Sequence, residues 1–149
     1  MKISKIIGLI AMTVMFCTPS FGQSALKGYE LTSDWKLITQ KDGVQFYVKK
    51  QECTVQGAEL PYVYTLLKMV NSNATAKTVS YNYAHHFEDG CDGCDEDSER
   101  AFKIEIPANT TLQEDCSFKL EGFSGFVSNP NHKDGSKFQA VDIKFLQVN

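Results

Sequence analysis

The sequence predicts an all-β domain, a sandwich of two antiparallel sheets built from about seven strands. Three observations carry this expectation. Apolar and polar residues alternate along most of the chain from Trp35 onward. Turn cues such as Asp42-Gly43, Asn71-Ser72-Asn73 and Pro107-Ala108-Asn109 punctuate these runs at intervals of roughly 8–16 residues. No stretch after the N-terminus has the 3.6-residue periodicity of an amphipathic helix.

Residues 1–22 have the layout of a cleaved secretory signal peptide. Lys2 and Lys5 form the basic start, Ile6 to Phe16 the apolar stretch, and Thr18-Pro19-Ser20-Phe21-Gly22 the breaker and small residues before a cut. Eleven residues span about 16 Å as a helix, roughly half of a bilayer's hydrocarbon core, too short for a membrane anchor. Cys17 raises lipidation, but Val14-Met15-Phe16 lack the small residues of a lipidation box. Cleavage changes the 149-residue chain of net charge −3 into one of 127 residues, net charge −5 and four cysteines. Residues 23–32 read as a loose lead-in, and 33–149 as a single domain.

The strands follow in order. Trp35, Leu37 and Thr39 alternate with Lys36, Ile38 and Gln40 before the Asp42-Gly43 hairpin cue. Val44, Phe46 and Val48 form a half-buried strand running towards Cys53. Tyr62 to Val70 is apolar on both faces, as in a central strand. Val79, Tyr81 and Tyr83 alternate with polar residues, and Phe102, Ile104 and Ile106 do so after an acidic loop. Pro107-Ala108-Asn109 turns into a short strand ending near Cys116. Residues 124–136 read as the longest irregular stretch, and Val141, Ile143 and Phe145 set the inward face of the closing strand.

Cys53, Cys91, Cys94 and Cys116 are an even set in an exported chain, which implies two disulfides among three connectivities. Up-and-down strands would gather all four at one pole. The alternative is a zinc or copper site built on Cys91-x-x-Cys94 with His86, since Cys-x-x-Cys is a common half of a zinc site. Asp95, Asp97 and Glu99 offer calcium a set of alternate carboxylates, without the glycine and distal glutamate of an EF-hand loop. They belong to a run of seven acids between Glu88 and Glu99, which would raise thiol pKa values and argues against a redox dithiol. On a strand, His85 and His86 point to opposite faces, one into the core.

Asp42-Gly43-Val44, Glu52-Cys53, the Cys91-x-x-Cys94 loop and Ile106-Pro107-Ala108-Asn109 give the chain a layout that resembles small secreted Bacteroidetes proteins with an immunoglobulin-like sandwich. The resemblance implies that fold and a secreted or periplasmic location, and no activity. The Ser-Phe-Gly-Gln ending of the leader is similar to signal peptides of the same bacteria.

The near-neutral balance excludes a basic nucleic-acid face. No nucleophile elbow, phosphate loop or His-Glu-x-x-His motif points to an enzyme or a cofactor. The expectation is therefore a binding module for a protein or carbohydrate, with no membrane span after cleavage. The cysteine pole and acidic loop are its expected contact surface, and Tyr62, Tyr64, Tyr81 and Tyr83 a second candidate face.

Overall fold

Two long central strands organise the computed structural model, which describes residues 25–28, 30–129 and 135–149. The expected signal peptide and Cys17 lie outside these residues. In the first sheet β1 (Leu26–Lys27) pairs with β10 (Phe138–Val148), and β10 with β5 (Lys77–Phe87). The other edge of β5 is shared by β6 (Gly90–Asp92) and β7 (Ala101–Ile106). In the second sheet β2 (Lys36–Lys41) pairs with β3 (Val44–Cys53), and β3 with β4 (Tyr62–Asn71). The free edge of β4 is likewise split, between β8 (Thr110–Gln113) and β9 (Ser124–Ser128). All these pairings are antiparallel, and the described residues contain no helix.

Alternation determines which side chains face inward. Val44, Phe46, Val48, Leu67 and Met69 of the second sheet pack with Val79, Tyr81, Tyr83, Val141 and Ile143 of the first. Phe46 meets Tyr81 edge-on, with ring centroids 6.3 Å apart. The Asp42-Gly43 turn has positive φ at both residues, 46° and 77°, the two-residue geometry whose twist matches the flanking strands.

The structure departs from the sequence expectation at several places. A bulge between Leu37 and Thr39 buries Ile38 and Thr39 together and leaves Leu37 exposed. A second bulge, between Lys144 and Gln147, puts Phe145 at φ 51° and out in solvent, while Leu146 and Val148 take the inward positions. The Leu146 carbonyl freed there accepts a hydrogen bond from Lys41 Nζ at 2.8 Å. Three strands lie where loops were expected. Leu26–Lys27 ties the lead-in to β10 and Leu31 enters the core, Gly90–Asp92 pairs within the acidic segment, and Ser124–Ser128 pairs with β4. Each satisfies backbone groups that a sheet edge would otherwise leave unpaired.

A buried polar contact that links the two sheets through the core centres on His85. His85 Nδ1 lies 3.2 Å from the Tyr83 carbonyl, which requires a proton on that nitrogen, so Nε2 accepts from Thr65 Oγ1 at 2.6 Å. Gly125 of β9 lies against the imidazole, where a Cβ would fall on the ring itself. Burial, with the positive charge of Arg100 nearby, pushes His85 from the usual 6.5 down to about 4. Below pH 6.5 the unfolded chain therefore takes up a proton that the folded chain refuses until about pH 4. Urea denaturation should show this contribution, about 3 kcal/mol, intact above pH 6.5 and lost progressively as the pH falls to about 4. An H85Q chain should lose that slope; an unchanged slope would assign it to other groups. Gly125→Ala should be severely destabilising, because the methyl and the ring compete for one volume.

Candidate functional site

The outer face of the second sheet is built by the register of its strands. Tyr47, Lys49 and Gln51 of β3 lie opposite Lys68, Leu66 and Tyr64 of β4, and Tyr64 lies opposite Phe126 of β9. Side chains two apart on a strand share a face, so Tyr62, Tyr64, Lys68 and Phe126 look outward together. Phe126 meets Tyr62 and Tyr64 edge-on at centroid distances of 6.0 and 5.8 Å. Phe118 closes on Tyr64 from the other side at 4.8 Å. Phe118 and Phe126 are 39% and 43% exposed, large apolar surfaces left to solvent. At the far end, Lys68 Nζ stands 4.4 Å from the Tyr47 ring centre and 4.9 Å from that of Trp35, and Lys49 Nζ also stands 4.9 Å from Trp35. The outward positions of β3, β4, β8 and β9 carry no Asp or Glu.

Phe118 sits in a connection, and a buried carboxylate holds it there. Glu114 Oε1 accepts from the backbone nitrogens of Asp115 and Phe118, both at 2.9 Å, and from Ser117 Oγ at 3.2 Å. Its Oε2 accepts from the Leu120 nitrogen at 3.0 Å. Burial would raise the Glu114 pKa, but these hydrogen bonds to the ionised form outweigh it and hold the group below the usual carboxylate range. The same connection is bridged to the end of β3 by Cys53–Cys116, 63 residues apart in sequence. That bridge lies within one sheet, whereas the hallmark immunoglobulin bridge joins two.

The other cysteines form the local bridge Cys91–Cys94, over the outer face of the first sheet. Cys91 of β6 lies directly opposite His86 of β5. The two histidines do point opposite ways, with His85 buried and His86 half-exposed. His86 Nε2 is 3.4 Å from Asp142 Oδ1, and Cys94 Sγ is 3.9 Å from each ring nitrogen. The donor atoms of His86, Cys91 and Cys94 all lie within 4.8 Å of one another, the one such group among the described residues. Cys53 and Cys116 do not join it, so the cysteines resolve into two pairs rather than one cluster. Nor do Asp95, Asp97 and Glu99: Asp95 instead gives its backbone carbonyl to Asn82 Nδ2 at 2.7 Å, and the run as a whole does not converge.

Of the four tyrosines expected on one face, Tyr62 and Tyr64 belong to the outer surface, whereas Tyr81 and Tyr83 are core. Trp35, Lys49, Lys68, Phe118 and Phe126 complete that surface and were missed, because pairing across strands and the fold of an irregular loop bring them together. The signal available was the alternation of Tyr47 and Lys49 with the inward Phe46 and Val48. No protein-family model, curated protein or solved structure matches the chain.

By the chain-entropy argument, replacing Cys53 and Cys116 by alanine should cost about 4 kcal/mol, and replacing Cys91 and Cys94 about 2 kcal/mol. Chemical denaturation of the two variants checks the order. Glu114→Ala should cost about 3 kcal/mol, since four donors lose a charged acceptor. It should also accelerate reduction of Cys53–Cys116, measured by alkylation of the released thiols.

Proposed function

We propose that the chain is an exported, disulfide-reinforced β-sandwich that works by binding, and that its ligand is an acidic polysaccharide lying along the outer face of the second sheet. The observation that carries the reading is the composition of that face: exposed aromatic rings in series with two lysines, and no carboxylate at the outward strand positions, on a chain of net charge −3. Aromatic rings offer apolar area to the C–H faces of sugars at little entropic cost, and the ammonium groups supply partners for uronate or sulfate.

From Lys68 to Tyr62 the strand advances six residues, roughly 20 Å, enough to seat several sugar units. Pairing of all four remaining cysteines supports export to an oxidising compartment, secreted or periplasmic. The likeness to small secreted Bacteroidetes proteins and their immunoglobulin-like scaffold belongs to this reading. The two facing antiparallel sheets support it, while the placement of the Cys53–Cys116 bridge is a departure from that scaffold.

Affinity electrophoresis in gels containing polygalacturonate tests the proposal. The protein should be retarded, less so at high salt. F126A and W35A should each weaken binding about tenfold, and the double variant K49A/K68A should bring the affinity for polygalacturonate down to that for a neutral glycan. Retardation that is equal in the aromatic variants, or no retardation in any glycan gel, overturns it.

A further inference from the structure

We propose that the hairpin carrying Cys91 and Cys94 is a redox-gated site for zinc: closed to metal as the disulfide, and, once a dithiol has reduced it, holding one ion through both thiolates and His86. Its donors lie on the other sheet from the aromatic surface and are not part of it.

Geometry comes first. In a tetrahedral site with Zn–S of about 2.3 Å and Zn–N of about 2.05 Å, sulfur and nitrogen ligands lie about 3.6 Å apart. Cys94 Sγ is already 3.9 Å from the His86 ring nitrogens, and all three donors fit within 4.8 Å. Small side-chain rotations would therefore complete the set. Asp142 Oδ1, on the neighbouring strand β10, faces His86 Nε2 at 3.4 Å and has no hydrogen-bond donor of its own. A proton on Nε2 held by this carboxylate leaves Nδ1 free to ligate, the arrangement of carboxylate, histidine and metal that orients a ligand and raises its basicity. Asp142 is thus a positioning residue, and the fourth position on the ion is left to water.

The loop keeps its shape without the sulfur–sulfur bond. Asn82, buried under the loop, donates from Nδ2 to the carbonyls of Gly93 at 3.3 Å and Asp95 at 2.7 Å. Arg100 Nε pairs with Asp92 Oδ2 at 2.9 Å, and the Tyr83 nitrogen donates to the Arg100 carbonyl at 3.2 Å. The β5–β6 ladder holds Cys91 opposite His86. Because the bridge spans only three residues, the fold depends on it far less than on Cys53–Cys116. Cys91 is exposed and Cys53 is buried, so a reductant meets the hairpin first. The surrounding acids lower the local potential and raise the concentration of cations at the loop.

The chemistry balances in two steps. A dithiol gives two electrons and two protons to the Cys91–Cys94 bond, yielding two thiols, and is itself oxidised to a disulfide. Zinc then replaces the two thiol protons, which leave to solvent, as the two Zn–S bonds form.

Native mass spectrometry with zinc alone as the probe reads the result, on oxidised chain and on chain reduced by a phosphine that is then removed under anaerobic conditions. The reduced protein should take up one zinc and the oxidised protein none. Cobalt in place of zinc should give thiolate-to-metal charge-transfer absorption only after reduction. H86A should weaken zinc binding at least tenfold and D142N about 10–100-fold, with the circular dichroism of the sheets unchanged. A C53A/C116A chain, holding only the hairpin thiols, repeats the comparison if the second bridge is also reduced. Equal zinc uptake by oxidised and reduced chain, no uptake by folded reduced chain at micromolar zinc, or full retention in H86A would each overturn the proposal.

Discussion

The contact between His85 of β5 and Thr65 of β4 pins the two central strands across the core, and much of the surface chemistry is a consequence of it. Because the imidazole lies against β9, only a residue without a Cβ fits at position 125. That glycine sets the register of β9 on β4, and the next residue, Phe126, is then directed outward beside Tyr64. On β5 the same logic runs the other way. With His85 inside, period-two geometry sends His86 outside, opposite Cys91. One buried polar pair thus places both an aromatic ring on one sheet and a metal-ligand candidate on the other.

Each outer face is completed by an irregular segment, and each segment is held by a single buried polar side chain. Glu114 gathers the backbone from Asp115 to Leu120 and so presents Phe118. Asn82 gathers the carbonyls of Gly93 and Asp95 and so presents Cys94. Both solve the problem that a loop laid over a sheet brings unpaired backbone groups into a dry place. A carboxylate suits the first because the orphan groups are donors, and an amide N–H suits the second because they are acceptors.

These devices explain which parts of the molecule are legible in the sequence. Alternation revealed Val44–Phe46–Val48 and Val79–Tyr81–Tyr83 as inward faces, since burial on a regular strand leaves a period of two. It misled at Leu37 and Phe145, where a bulge inserts one residue and reverses the faces beyond it. Ser124–Ser128 has the serine and glycine content of a loop, and is a strand because β4 needs an edge partner and His85 needs Gly125. The even cysteine count indicated bridges, but their pairing depends on where strands end in space. The aromatic face assembles from five separate segments, so no window of sequence contains it.

The modest net charge conceals a separation of charge. Seven acids fall between Glu88 and Glu99, on the hairpin and loop that cover the outer face of the first sheet. The outward positions of the second sheet hold Lys49 and Lys68 and no acid. Averaged over 149 residues this asymmetry is hidden in a net charge of −3. Such a molecule concentrates its acids on the hairpin of one sheet and sets its outward lysines on the other. The disulfides follow the same division. The long bridge secures the connection that shapes the anion-facing surface, while the short one sits among the cation-facing donors, where opening it changes the available chemistry and leaves the framework closed.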